Sequence, residues 1–245
     1  MTNSSTPIAG INLKVALTDT DYYALQSLNS YLAWDRRTRV TLLAASFDAL
    51  YSAIDKLPDA ELPDVIVLDS DAHSPEALGE AIRKLRGRVP TVLVVCLARV
   101  ADVGHVEAAA EAGARAYLLK SDLTHQIAWA IVYAMERDFL ITSGIEQACA
   151  RSMQRRIRKA VVLPRPREYP ELTERIRQAI ELCVVKGMPA HLAADEMGIS
   201  LHTVRSYIKE GYRILESYDE TVYPKEMSPQ EKAFMRITRI EDEEG

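Results

Sequence analysis

The chain has 245 residues, 48% of them hydrophobic and 27% charged, with a formal net charge of −5. That length and apolar fraction suit roughly two domains with cores of their own, and they argue against a disordered chain. Composition excludes three further classes. No window approaches the ~20 apolar residues of a membrane helix. The three cysteines, Cys96, Cys149 and Cys183, cannot supply a disulfide framework or a CxxC metal knuckle. The five histidines lack zinc spacing, because His191 and Asp195 form an i, i+4 pair without a third ligand.

The opening stretch "MTNSSTPIAG" has neither a basic start nor an apolar h-region. A cytoplasmic protein with no membrane contact is therefore expected. Short β-rich runs follow at Lys14 to Thr18, Arg39 to Ala45, Val65 to Asp69, Thr91 to Ala98 and Ala116 to Lys120. Ala/Leu/Glu/Arg-rich segments of helical length separate them, and a last helix is expected from "SDLTHQIAWAIVYAMERDFL". Five strands alternating with five helices predict a doubly wound parallel sheet.

In such sheets functional groups gather beyond the carboxyl ends of the strands. Asp19 and Asp21 follow the first strand, Asp69 and Asp71 follow the third in "VIVLDSDAH", and Lys120 ends the fifth. Acids at strand ends are often only turn formers, and Asp19 or Asp21 has the position of a cap for a helix starting near Tyr22. Convergence with a lysine points instead to a pocket.

Residues Lys14 to Ile141 resemble the receiver domain of two-component response regulators. "LTDTDYYAL" matches the acidic loop, "PDVIVLDSD" the phosphoacceptor strand and "AGARAYLLKSDL" the last strand with its lysine. The resemblance implies Asp69 as the phosphoacceptor position, Lys120 as the cation that reads the phosphoryl group, and Tyr117 as the aromatic switch. It also exposes departures. Phosphoryl transfer to a carboxylate needs Mg²⁺ held by oxygen ligands. Here the acidic pair reads Asp19-Thr20, with Asp21 displaced, so at most weak Mg²⁺ binding at Asp19 and Asp69 is expected and no cofactor is assigned. Between Thr91 and Ser121 there is no Ser or Thr, so the switch hydroxyl at the end of strand four is replaced, by Cys96 or Leu97. His73 stands where a proline is usual, and Asp71 adds like charge near Asp69.

"DSD" also resembles the DxD loop of haloacid-dehalogenase-type phosphatases. That motif expects Thr or Val where His73 stands and sits on the first strand of its sheet, so the chain is read as a non-enzyme.

From Ser143 to Pro170 there are seven Lys and Arg against two acids, including "RRIRK" at Arg155 to Lys159. This predicts a basic linker over 143–170, between a receiver at 11–142 and a second domain at 171–245. In the second domain Ile176, Ala179, Ile180 and Cys183 keep a helical stripe that Gly187 ends. Pro189 suits the first turn of the next helix, Gly198 its end, and Ser200 the cap of a third, the pattern of a helix-turn-helix. Leu201, Val204, Ile208 and Leu215 should face the core, while His202, Arg205, Ser206, Lys209 and Arg213 share the opposite face. That row is either merely solvated or fitted to a major groove.

"LTERIRQAIEL", "LAADEMGIS" and "HTVRSYIKEGYRIL" resemble the DNA-binding domain of NarL/LuxR-type regulators. The resemblance implies base or phosphate contacts by Thr203, Arg205 and Lys209, with Tyr207 along the backbone. The segment Glu171 to Tyr218 carries six cations against seven acids, so its affinity is expected to need a dimer or the basic linker. Ser228 with Glu231 three residues later signals a capping box and a final helix, packed on its own domain or on a second copy, before the acidic "EDEEG".

Together the halves imply a flavodoxin-like, five-stranded receiver followed by an all-α helix-turn-helix domain. The implied function is transcription regulation through double-stranded DNA as a homodimer, with input by dimerisation, a ligand or a protein partner. Two alternatives stand beside it: activation at Asp69 by a sensor kinase, and a helix-turn-helix that contacts another regulator or RNA polymerase.

Overall fold

A computed structural model describes residues 11–241, which form two compact units divided at Pro164 and Arg165. The first unit is a parallel sheet of seven strands in the order β2-β1-β3-β4-β5-β6-β7. Its strands are β1 (Leu13–Thr18), β2 (Thr38–Ala44), β3 (Val65–Asp69), β4 (Leu93–Ala98), β5 (Ala116–Leu119), β6 (Leu140–Ile141) and β7 (Val161–Val162). The order 2-1-3-4-5 of the first five is the flavodoxin-like doubly wound arrangement. β3 is buried along its whole length, as expected of a central strand covered on both faces.

Local chemistry starts the helices where the sequence suggests. Asp21 caps α1 (Tyr22–Ala33), Ser46 caps α2 (Phe47–Ile54), Ser74 with Pro75 opens α3 (Pro75–Arg88), and Asp102 caps α4 (Val103–Ala112). Gly113, at φ +90°, ends α4 in the left-handed conformation that side chains resist.

Two expectations are corrected. The last receiver helix is not continuous: it is broken into α5 (Lys120–Leu123) and α6 (Ile127–Ala134) at Thr124, the one non-glycine among the described residues with positive φ. There the Thr124 hydroxyl donates to the Gln126 side-chain carbonyl at 2.6 Å. Lys120 accordingly opens α5 rather than ending β5.

The basic linker is also not a linker over most of its length. Residues 143–164 fold into α7 (Ser143–Ala148), α8 (Arg155–Arg158) and β7, which extends the sheet beside β6. The five-stranded sheet therefore has two more strands. Phe139, Leu140, Ile141, Ile145, Cys149 and Ile157 are buried, and that apolar surface holds the segment down despite its charge.

The second unit is helical. α9 (Glu174–Ile180) runs into a π-helical turn at Glu181–Val185, followed by α10 (Ala190–Met197), α11 (Leu201–Ser217) and α12 (Pro229–Ile237). Pro189 is the residue before α10 rather than in its first turn, Gly198 ends α10 at φ +65°, and the Ser200 hydroxyl accepts the Thr203 N–H. α12 begins with the expected capping box of Ser228 and Glu231. Its Ala233, Phe234, Met235 and Arg236 are buried within this unit, so the helix packs on its own domain. The end of "EDEEG" lies outside the described residues.

Candidate functional site

The carboxyl edge of the receiver sheet brings three of the expected residues together. Lys120 Nζ donates to Asp69 Oδ1 at 2.7 Å and to Asp19 Oδ2 at 2.9 Å. Asp19 and Asp69 are 4% and 8% exposed, so this is a largely desolvated cluster of two acids around one cation. Burial pushes the Asp69 carboxyl above the usual range against the pull of Lys120, helped by the charges of Asp19 and Asp71. Lys120 is itself raised: burial opposes its charge, but the bonds to Asp69 and Asp19 outweigh it.

Asp21 and Asp71 do not join this cluster. The Asp21 carboxylate accepts the N–H groups of Tyr23 and Ala24, so it is spent on capping α1. Its own N–H donates to Asp19 Oδ1 at 2.8 Å. Asp71 accepts the Arg99 backbone N–H and ion-pairs with the Arg99 side chain at 3.2 Å. An acid turned to a neighbouring loop cannot serve Asp69 as a proton donor, which removes the geometry of the phosphatase reading.

The same contacts bear on the weak Mg²⁺ binding expected at Asp19 and Asp69. Both Asp19 oxygens and one Asp69 oxygen already accept hydrogen bonds, two of them from the Lys120 ammonium, so a divalent cation at these acids would have to compete with that charge. Among the described residues no three His, Cys, Asp or Glu side chains group to hold a metal.

The strand register sets Leu97, one of the two residues expected in place of the switch hydroxyl, directly beside Asp69. Asp69 pairs with Leu97, and β4 ends one residue later at Ala98, which pairs with Leu119 just before Lys120. Ala98 is the strand's last residue; Cys96 pairs with Tyr117 and belongs to the buried core, where burial pushes its thiol up.

Sequence reasoning missed Ser70. This buried residue donates its hydroxyl proton to the Leu97 carbonyl at 2.9 Å and lies 2.9 Å from the Tyr117 hydroxyl. Because Ser70 has one proton and has used it, Tyr117 is the donor. Tyr117 is thus 1% exposed and tied inward, with its phenol pushed up by burial. Beside it, His73 stacks on Phe47 at 4.0 Å, and burial lowers its pKa. His105 lies 2.7 Å from both Asp102 Oδ1 and the His73 carbonyl. Burial opposes the charged ring, but the contacts with the His73 carbonyl and Asp102 outweigh it and raise the His105 pKa, and the ring joins α4 to the loop after Asp69.

On α11, His202, Arg205, Ser206, Lys209 and Arg213 are exposed on one face, while Val204, Gly211, Ile214 and Leu215 are buried on the other. Arg213 is held by Glu210 through contacts of 2.6 and 3.1 Å, which neutralises the end of the row. Thr203 is half-buried, and its hydroxyl lies 2.8 Å from that of Ser200 in the cap. Tyr207 is half-buried and packs on the core of Ala179, Leu182, Ala193 and Val204, so much of its ring serves the fold.

A doubly wound sheet with an Asp-Asp-Lys cluster at its carboxyl edge, in a chain that also carries a helix-turn-helix unit, is the arrangement of the response-regulator class, and the comparisons with known proteins point the same way. The chain is 27% identical over 210 residues to the response regulator VraR of Staphylococcus epidermidis, covering 85% of this chain and 93% of that one. It is 26% identical over 212 residues to VraR of Staphylococcus aureus, covering 86% and 94%. Among solved structures it is similar to RcsB of Salmonella typhimurium, with 12% identity, a TM-score of 0.49 and coverage of 87% and 95%. A LuxR-family response regulator from Aurantimonas sp. gives 21% identity and a TM-score of 0.49, covering 57% and 96%. No protein-family model matches the chain. Both curated relatives are named as response regulators, and among the described residues no helix is long and apolar enough to cross a membrane.

Proposed function

We propose that the chain is a sequence-specific DNA-binding transcriptional regulator whose receiver acts without a phosphoryl switch, through dimerisation or through a ligand or protein input. The observation that carries this reading is the single Lys120 ammonium closing on both Asp19 and Asp69. A lysine already satisfied by two carboxylates, an acidic loop spent on a helix cap and a strand end at Ala98 leave little to bind Mg²⁺ or to read a phosphoryl group. The DNA half rests on the exposed Arg205, Ser206 and Lys209 of α11, a helix of a length and polarity suited to a major groove.

The test is selection of genomic fragments by the purified, unphosphorylated full-length protein, followed by titration of the recovered site at several salt concentrations. A palindromic site bound with steep salt dependence is expected. Arg205→Ala and Lys209→Ala should each weaken binding by ~1 to 3 kcal/mol where they read bases. Unchanged binding in both variants overturns the recognition-helix assignment, whereas no recovered site overturns binding without an activating input and points either to such an input or to a domain that contacts another regulator or RNA polymerase.

Activation at Asp69 is the second reading, favoured by the acceptor and the lysine both being in place. Incubation with a small phosphodonor and Mg²⁺, read by intact mass, separates the two. Little Asp69-dependent mass gain is expected, and a near-stoichiometric adduct overturns the phosphate-independent reading.

A further inference from the structure

The basic segment that folds onto the receiver sheet has one arginine turned inward and its neighbours turned out. Arg156 donates to the carbonyls of Ala110, Ala114 and Asp138, ion-pairs with Asp138, and lies over the Phe139 ring at 5.1 Å. The Gln154 side chain accepts the N–H groups of Arg156 and Ile157, and Ile157 is buried. These contacts fix α8 rigidly. Arg155, Arg158 and Lys159 consequently project outward and are exposed, as is Arg151 in the preceding turn.

The sequence immediately around those four charges offers them no partner. From Gln147 to Arg167 it contains no Asp or Glu. Of the acids around the segment, Asp138 is committed to Arg156 and Glu107 to the Ser152 hydroxyl at 2.6 Å, while Glu146 stands exposed just before the acid-free run. Cations three and four residues apart on a helical turn repel one another, so the arrangement is mildly unfavourable in the isolated protein. A polyanion removes that cost.

We infer that Arg151, Arg155, Arg158 and Lys159 form a second, sequence-independent DNA contact that grips the phosphate backbone from the receiver unit. The inference rests on the DNA-binding reading above. It explains how a helix-turn-helix segment with six cations against seven acids obtains its electrostatic affinity: the counterion-releasing groups are carried on another unit. The receiver is then a DNA-holding element as well as a regulatory one. Its rigid attachment through Arg156 is what distinguishes this surface from a flexible basic linker.

The test compares the full-length protein with the triple variant Arg155→Gln, Arg158→Gln, Lys159→Gln, leaving Arg156 in place. Binding is measured on a duplex of the recovered site and on a scrambled duplex of equal length, over a salt series. Every phosphate that the variant no longer neutralises should reduce the log–log salt slope by about 0.9, so the slope should fall by about 2 to 3 in the triple variant. The ratio of specific to scrambled affinity should stay near wild type, whereas Lys209→Ala should lower that ratio. An unchanged slope in the triple variant, with wild-type protein binding normally, overturns the inference while the DNA reading stands, and assigns the patch to an acidic protein surface. Absence of duplex binding by the wild type overturns both. Far-ultraviolet circular dichroism of the variant guards against misfolding, since all three side chains are exposed.

Discussion

The ammonium of Lys120 stands 2.7 Å from the Asp69 carboxylate, and the same ammonium holds Asp19 at 2.9 Å. Removing the cation leaves two mostly buried acids facing each other. We expect Lys120→Met to destabilise the receiver unit by ~3 to 5 kcal/mol, the range for breaking a buried pair from one side. Asp69→Asn should behave differently, because Asp19 still pairs with Lys120. The folded Asp69 pKa is raised, above all by burial, so its ionisation opposes folding as pH rises from the unfolded value of about 3.9, and the penalty persists above the folded pKa. At neutral pH Asp69→Asn should therefore match or exceed the wild-type melting temperature. A drop comparable to that of Lys120→Met would refute this balance.

Ser70 and Tyr117 form an asymmetric pair. In Tyr117→Phe the Ser70 hydroxyl keeps its acceptor at Leu97, so the cost is little more than one net hydrogen bond, ~0.5 to 1.5 kcal/mol. In Ser70→Ala the Tyr117 hydroxyl is left buried without this partner, at a cost of ~1 to 3 kcal/mol. The double variant should cost less than the sum of the two. Denaturant unfolding of the four proteins measures the coupling, and strict additivity would show that the two hydroxyls do not interact.

The first five strands were legible because runs such as "VIVLD" are long and β-branched, and the caps because Ser74-Pro75 and Ser228 with Glu231 announce themselves chemically. β6 and β7 were not: two-residue strands carry no periodicity, and the basic character of 143–164 masked the buried Phe139, Ile145 and Ile157. The pocket was legible as a set of acids and a lysine, but spacing could not say which acid would be spent. Asp21 and Asp71 were chosen by a helix N-terminus and by Arg99, contacts that exist only after folding. Ser70 gave no signal, since its partner lies 47 residues away. In the second unit the helical periods were sufficient, although the burial of Tyr207 and the capture of Arg213 by Glu210 were not anticipated.

Gly211 marks where α9 and α11 meet. A Cβ there would lie 2.6 Å from both Ile180 Cδ1 and Cγ1 and 3.2 Å from Ile176 Cγ2. Clashes with two neighbouring side chains cannot be relieved by moving one terminal methyl. Alanine would gain up to ~1 kcal/mol of helix propensity, but overpacking typically costs ~1 to 3 kcal/mol. We expect Gly211→Ala to destabilise the second unit, seen as faster amide hydrogen exchange in α9 and α11 and unchanged exchange in the receiver strands. Increased protection in both helices would mean that propensity outweighs the clash.

Asp219 organises the end of the chain. Its carboxylate accepts from Arg236 Nε at 3.1 Å, Arg239 Nη1 at 2.8 Å, the Tyr223 hydroxyl at 2.5 Å and the Thr221 N–H. Burial would raise its pKa, but the bonds from Thr221, Tyr223 and Arg236 outweigh it, and the folded value is lowered. A lowered folded pKa means that the ionised acid contributes stability above the unfolded value of about 3.9, and that this contribution disappears as pH falls through the lower folded value. We expect the amide protection of α12, corrected for intrinsic exchange rates, to hold from neutral pH to about pH 4 and to fall below it. Asp219→Asn should lower that protection already at neutral pH, because Arg236 would then keep a largely buried charge without its main partner, a cost of ~3 to 5 kcal/mol for a pair broken from one side. Wild-type protection of α12 in Asp219→Asn at neutral pH would show that its apolar face, with Phe234 and Met235 buried, holds the helix without the ionic network.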